Sequence, residues 1–219
     1  MTDISIVITN YNKGHLLERA VRSAAGQFLL RKTIEIIVVD DASTDDSLKR
    51  ISDLGDEVII IKHKSNLGVS QASNSGLSAS SGKYWMRLDA DDYLSQMAIQ
   101  HMSAILDSND QLDFVYGDLL KINLDGSQIE RVKLNKIDQL LLHGAGVLFK
   151  KDTLVKFGGY NNDLRNGEDF DLIARMLKGN ASSFYLPIPL YRYFSQKDSL
   201  TSQDNREQII SNLRSKYGF

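Results

Sequence analysis

The sequence predicts an α/β fold in which a Rossmann-like, mostly parallel central sheet is flanked by helices and followed by a smaller mixed half. Three observations lead there. Short β-branched apolar runs alternate with helical stretches through the first hundred residues. The connections between them are short, which implies parallel strands with helices on both faces. After about residue 110 the alternation gives way to hairpin and turn signals.

The elements follow in order. Residues 4–9 are apolar and β-branched and read as a buried strand. Leu16, Leu17, Ala20, Val21 and Ala24 recur at helical spacing, and Gly26 supplies a stop. Residues 34–39 predict a second buried strand, 45–54 a helix with acidic residues at its start, and 58–61 a third strand. Residues 68–79 predict a helix rich in small side chains, closed by Gly82. A fourth strand at 84–88 and a helix at 97–106 complete the first half. Beyond it, 114–119 reads as a strand and 122–132 as a hairpin around Asp125-Gly126. Residues 146–149 predict a strand, 152–157 a helix stopped by Gly158-Gly159, and 168–177 a helix. Pro187 and Pro189 flank a short extended segment, 190–194 reads as a strand, and 204–217 as a C-terminal helix. With no repeat, low-complexity tract or linker, residues 1–219 read as one domain: a nucleotide half to about 110 and an acceptor half from about 111 to 219.

Composition narrows the partners. A net charge of -2 gives no electrostatic reason to expect nucleic acid. The absence of cysteine excludes disulfides and thiolate metal sites and fits a reducing cytoplasm. The sequence has no apolar run near the roughly 18 residues of a membrane helix and no basic-then-apolar leader. The expectation is a soluble, cytoplasmic protein, with contact to the inner face of a membrane left open.

In a parallel sheet ligands bind outside the carboxyl ends of the strands. Four polar clusters stand there: Thr9-Asn10-Tyr11-Asn12, Asp40-Asp41-Ala42-Ser43-Thr44-Asp45-Asp46, Asn66-Leu67-Gly68, and Asp89-Ala90-Asp91-Asp92. Asp89 and Asp91 are two apart, so in an extended segment both point to one side. Two carboxylates facing one spot favour either a shared proton or a hard divalent ion such as Mg2+ or Mn2+, which would also neutralise a diphosphate. The plainer reading is a solvated turn before the next helix. Part of the 40–46 cluster reads as helix capping. Capping leaves Asp40 and Asp41 unexplained, and a carboxylate there can accept the ring N–H of a pyrimidine. Tyr11 offers a flat face for stacking. Gly68 lets backbone approach a phosphate or ribose at a helix start, although a simple turn accounts for it equally. Glu168, Asp169 and Asp171 open a late helix, where acidic residues also suit the dipole; a carboxylate there can take the proton of an attacking hydroxyl.

Taken together these residues resemble glycosyltransferase family 2, the inverting group with the GT-A fold. The matching stretches are 4–12, 35–46, 66–76, 82–92, 158–172 and Tyr191-Arg192, spanning the chain from Ile4 to Ser202. The resemblance implies a nucleotide-sugar donor, a saccharide or lipid-linked acceptor, and a Mn2+ or Mg2+ cofactor. It implies that Thr9, Tyr11 and Asp41 hold the base, with Asp40 beside them, and that Gly68 and Asn74 line the nucleotide side. Asp89 would lie near ribose and sugar, Asp91 would ligate the metal, Asp169 would be the catalytic base, and Glu168 would help place a substrate. The implied pathway is bacterial surface polysaccharide synthesis. Two positions depart from the family pattern. Ser73 stands where an arginine is common, and Phe194 where a histidine is common. Lys197 and Arg192 are nearby cations with no assigned role.

These departures keep a second reading in view: a non-catalytic nucleotide-sugar-binding or partner subunit. A nucleotidyltransferase is disfavoured because Thr9-Asn10-Tyr11-Asn12-Lys13-Gly14 is not a triphosphate loop, and a receiver-like role for Asp40-Asp41 explains only the first half. Acceptor selection falls on residues 133–146 and 187–202. Ile209, Ile210, Leu213 and Tyr217 share one face of the last helix, which predicts closure of the core, with a membrane-facing surface as the alternative.

Overall fold

A computed structural model describes residues 2–144, 146–195 and 206–219. Lys197, the first two positions of the expected C-terminal helix and the whole 196–202 stretch of the acceptor loop lie outside the described residues.

The first half forms as the sequence pattern requires. β1 (Ile4–Asn10), β2 (Ile34–Asp40), β3 (Val58–Lys62) and β4 (Tyr84–Asp89) pair in parallel in the order β3-β2-β1-β4. β1, β2 and β4 are buried on both faces along most of their length, which is why they read as unbroken apolar runs. β3 is an edge strand, and Ile59 and Ile60 are exposed. Helix α1 (Gly14–Ala25) buries Leu16, Leu17, Ala20, Val21 and Ala24. The helix expected over 45–54 is a short α2 (Ser47–Arg50) followed by a 3-10 turn at Ser52–Glu57. Asp45 is not in its first turn, because its carboxylate accepts the Gly14 and Ser47 N–H groups and ties the segment to α1. α3 (Val69–Ala79) lies on β1 so closely that a β-carbon on Gly76 would overlap the Val7 side chain. α4 (Ala98–Ser108) closes this half.

The second half continues the same sheet. Its core strands are β6 (Phe114–Ile122) and β9 (Ser183–Phe194), which run parallel to each other. A three-residue β8 (Leu148–Lys150) joins them to β4 by antiparallel pairing, giving the order β3-β2-β1-β4-β8-β6-β9-β5 among the described residues. β5 (Tyr93–Leu94), which the sequence did not reveal, leaves β4 and returns at the far edge against β9. β7 (Gln128–Val132) completes the expected hairpin with β6. The short strand expected at 190–194 is the end of the twelve-residue β9. Pro187 and Pro189 do not break it, because the pairing with β6 shifts register between Gly117 and Leu119, where the missing N–H groups fall.

Among the described residues four helices cover this half: α5 (Ile137–Leu142), α6 (Lys151–Lys156), α7 (Glu168–Lys178) and α8 (Arg206–Tyr217). α5 was not foreseen. Trp85, Phe114, Phe149 and Tyr160 form an aromatic cluster at the junction of the halves, with ring centroids 5.6–6.4 Å apart. Ile210 and Leu213 of α8 are buried, so the closure reading of this helix holds.

Candidate active site

The carboxyl ends of β1, β2 and β4 are in register. Thr9 is opposite Asp89, and Asn10 is opposite Asp40. Above them opens a cavity of about 540 Å³, reached from the second half by the start of α7, the end of α5 and the end of β9. Thr9, Tyr11, Asp41, Gly68, Asp89, Asp91, Glu168 and Asp169 all line it. Carboxylates from distant parts of the chain therefore meet in one pocket.

At the nucleotide end, Tyr11 is 47% exposed, which leaves a ring face open at the lip. Asp41 is buried, and its oxygens accept Leu67 N (2.9 Å), Gly68 N (2.8 Å) and His63 Nδ1 (2.6 Å). It therefore shapes the loop ahead of α3 as well as lining the cavity. Gly68 turns that loop at φ 92, which a β-carbon disfavours. Asp40 lies beneath the cavity wall, where it accepts Asn10 Nδ2 at 2.8 Å. Asn74 is not among the cavity residues. Its amide accepts Tyr160 N (2.9 Å) and donates to Tyr160 O and Asn162 Oδ1 (both 2.8 Å), fastening α3 to the loop before α7. Ser73 is buried and donates back to Val69 O, so its hydroxyl faces its own helix. A different cation stands at this end: Arg165, which donates to Asn66 Oδ1 at 3.3 Å and lies over Gly68. No sequence signal points to it, since its place depends on how the loop before α7 folds back.

The centre is dominated by Arg87 on β4, a residue that sequence reasoning missed. Its Nε lies 3.1 Å from Asp89 Oδ1, Nη1 3.0 Å from Glu168 Oε1, and Nη2 2.8 Å from Asp169 Oδ2. Thr9 also donates to Asp89 Oδ1, at 3.2 Å. The alternation along β4 puts Arg87 and Asp89 on one face, and a buried cation beside an Asp-x-Asp run was the available clue. Burial raises the Asp169 pKa to about 7, with Arg87 opposing and the Glu168 and Asp89 charges assisting. Asp169 is thus poised to exchange a proton near neutrality.

Asp91 lies beside this group. Burial and then the Asp89 charge raise its pKa. Lys13 pairs with its Oδ2 at 3.1 Å, so the space beside this carboxylate already accepts a cation. That fits a divalent ion at Asp91. Among the described residues no group of three His, Asp or Glu side chains could hold a metal, so the remaining ligands would come from a bound diphosphate and water. Phe194 lines the cavity and offers no ligand; Arg19 lies 5.6 Å from its ring. Asp92 is buried, accepts Phe194 N at 2.7 Å and ties the β4–β5 loop to β9; burial and the Asp91 and Asp89 charges hold its pKa well above the carboxylate range.

The far wall is apolar and aromatic: Leu141, Leu142, Phe170, Tyr193, Phe194 and Ile210. His143 sits among them. Burial first, then the Arg206 charge, lowers its pKa to about 4, so the imidazole is neutral at physiological pH. α5 accounts for part of this wall, and its Leu140-Leu141-Leu142 run was the signal that could have revealed it.

The family described as "Glycosyl transferase family 2" matches the chain over residues 5–184. A protein of Rickettsia felis described as an uncharacterized glycosyltransferase is 30% identical over 191 residues, which cover 80% of this chain and 31% of that protein. Chondroitin synthase of Pasteurella multocida is 28% identical over 181 residues, covering 79% of this chain and 18% of that protein. The chain spans about a third of the length of the first curated relatives it matches. The crystal structure of S. aureus TarS 1-349 in complex with UDP-GlcNAc superposes with a TM-score of 0.80 at 16% identity, covering 98% of this chain and 66% of that one. Mannosyltransferase PcManGT from Pyrobaculum calidifontis, in complex with GDP-Man and Mn2+, gives 0.75 at 16% identity, covering 97% and 63%.

Proposed function

Because the chain belongs to glycosyl transferase family 2 and has the GT-A fold, we propose that it moves a sugar from a nucleotide diphosphate donor, first among them a UDP-sugar, to a hydroxyl with inversion at the anomeric carbon. The observation that carries this is the shared cavity. Asp91 from the nucleotide half and Asp169 from the acceptor half line one space, with a single arginine between Asp89 and Asp169.

In this reading Tyr11 stacks on the base at the open lip, and Thr9, Asp41 and Gly68 shape the pocket around it. Arg165 brings positive charge to the same end. Asp89, fixed by Thr9 and Arg87, faces ribose and sugar. Asp91 holds the divalent ion, Mn2+ or Mg2+, which when bound neutralises charge on the leaving diphosphate. Asp169 takes the proton from the acceptor hydroxyl as that oxygen attacks, leaving one side of the sugar as the diphosphate departs from the other. Glu168 beside it helps place the substrate. The acceptor lies against the apolar and aromatic wall, where sugar faces stack well.

The chondroitin and hyaluronan synthases among the relatives support a place in polysaccharide assembly. Residues 1–219 act as one domain in this reading, with the sheet running unbroken through both halves. Among the described residues no helix is long and apolar enough to cross a membrane.

Transfer assays with nucleotide-sugar donors and a saccharide panel, with and without Mn2+, test the proposal. Asp169→Asn should lower kcat by about 10²–10⁴-fold with donor binding retained. Asp91→Ala should remove the Mn2+ dependence. Unchanged turnover in either variant would strip that residue of its role. Donor binding with no transfer to any acceptor would favour the binding-subunit reading, which the inward-turned Ser73 hydroxyl and Phe194 motivate.

A further inference from the structure

We propose that Arg87 is the positioning residue of this site: it fixes one oxygen of Asp169 and leaves the other open to the acceptor. The proposal rests on the reading of Asp169 as the base.

The geometry is specific. Arg87 has a side chain 6% exposed, and each of its three nitrogens engages a different carboxylate. A buried guanidinium without partners is strongly unfavourable, so one carboxylate would be expected. Three carboxylates exceed that need and leave the cluster net negative. Two of the three, Glu168 and Asp169, stand in the first turn of α7, whose N-cap Gly167 is left-handed at φ 75 and makes no side-chain capping bond. The first N–H groups of this helix therefore have no side-chain cap. The Arg87 fork reaches across from β4 and holds both residues, a geometry that planar guanidinium provides and a lysine ammonium does not. The Tyr160 ring lies under the guanidinium at 5.3 Å and limits its movement.

Asp169 is confined from the opposite side too. A β-carbon on Gly144 would come within 2.6 Å of Asp169 Cβ, so the backbone after α5 lies directly against it. With Oδ2 on Arg87 Nη2, Oδ1 has no hydrogen-bond partner among the described residues, and the side chain is 19% exposed and belongs to a residue of the cavity wall. The charged and titratable groups facing Asp169 are Arg87 and Asp89 from β4, Glu168 from α7 and Tyr160 from the preceding loop. Arg87 is the only cation among them, so the Asp169 proton affinity rises when it is removed.

The test reads Asp169 directly in the intact protein. Carboxyl carbons of ¹³C-labelled aspartate are titrated by NMR, with the Asp169 signal identified by its loss in Asp169→Asn. Wild type should inflect at about 7. Arg87→Gln should inflect roughly 1–3 higher in pH, and Arg87→Lys should fall between. In transfer assays Arg87→Gln should lower kcat tenfold or more and move the pH–rate profile in step with the NMR inflection, with partial rescue in Arg87→Lys. If Arg87→Gln does not fold, Arg87→Lys and the charge-compensated Arg87→Gln/Glu168→Gln pair carry the measurement. A folded variant that titrates and turns over like wild type overturns the proposal. If wild type transfers no sugar yet the Asp169 inflection moves, the assigned reaction fails while the Arg87 hold on Asp169 stands.

Discussion

Asp169 sits where a carboxyl group favours its protonated form, among other carboxylates and away from water, and only Arg87 offsets this. The consequence for stability follows from the sign of the shift. The folded protein binds this proton more tightly than the unfolded chain, so the contribution is fully present below pH 3.8 and is lost as pH rises to about 7. Asp169→Asn removes that loss. Its melting temperature should therefore exceed that of wild type at pH 8, with the difference shrinking toward pH 5, measured by calorimetry across that range. A variant less stable than wild type at pH 8 would show that its ion pair with Arg87 outweighs burial. Ala42, between Asp41 and Ser43, adds a second cost at the site, since its φ of 63 is one that a β-carbon disfavours by roughly 1–2 kcal/mol. Legibility at this scale divides along one line. Asp89, Asp91 and Asp169 were readable as candidates from their places at strand and helix ends, where a solvated turn or the helix dipole is the plainer reason, and the fold brings all three to one cavity. Arg87 was not, because a cation inside a strand shows its purpose only when partners from 80 residues away arrive. Asn74 was misjudged for a related reason: a polar side chain on a helix next to a cleft can face either way, and this one faces the Tyr160 backbone.

The start of α7, which carries both acidic residues, is held from behind by the C-terminal helix. A β-carbon on Gly167 would lie 3.0 Å from Leu213 and 3.1 Å from Ile209, so α8 packs onto the turn that aims Asp169. Tyr217 donates to Asp171 Oδ1 at 2.6 Å one helical turn further along. Leu213→Ala should cost about 2–5 kcal/mol of unfolding free energy, read from urea denaturation. It should also lower kcat more than a comparable cavity far from α7, such as Leu106→Ala, does. Equal loss from both would mean that α8 supports the fold without tuning the base. Elements with strong periodicity, such as α1 and α7, were legible close to their true bounds. The failures have physical causes. α2 starts late because Asp45 bonds α1, β9 extends through two prolines because β6 shifts register to meet them, and β5 is two residues that exist only through pairing.

At the scale of the whole molecule, the pocket exists because a single sheet crosses from one half to the other through β8. The parallel direction of β1–β4 followed from alternation, whereas their order did not. The antiparallel β8 between β4 and β6 did not, since a three-residue strand carries no pattern of its own. A ligand that touches both halves should stabilise the whole sheet by mass action, by about 2.7 kcal/mol at a hundred times its Kd. A UDP-sugar with Mn2+ should therefore raise the melting temperature as a single transition, and Asp91→Asn should lose the manganese-dependent increment. Two separated transitions would contradict the one-domain reading. The aromatic cluster at the seam carries a further consequence. Trp85 is the only tryptophan in the chain; its ring is 6.0 Å from Tyr160, which in turn lies beneath Arg87. All of this chain's indole emission thus originates two contacts from the guanidinium that holds Asp89, Glu168 and Asp169, an unlabelled optical gauge built into the wall between the halves.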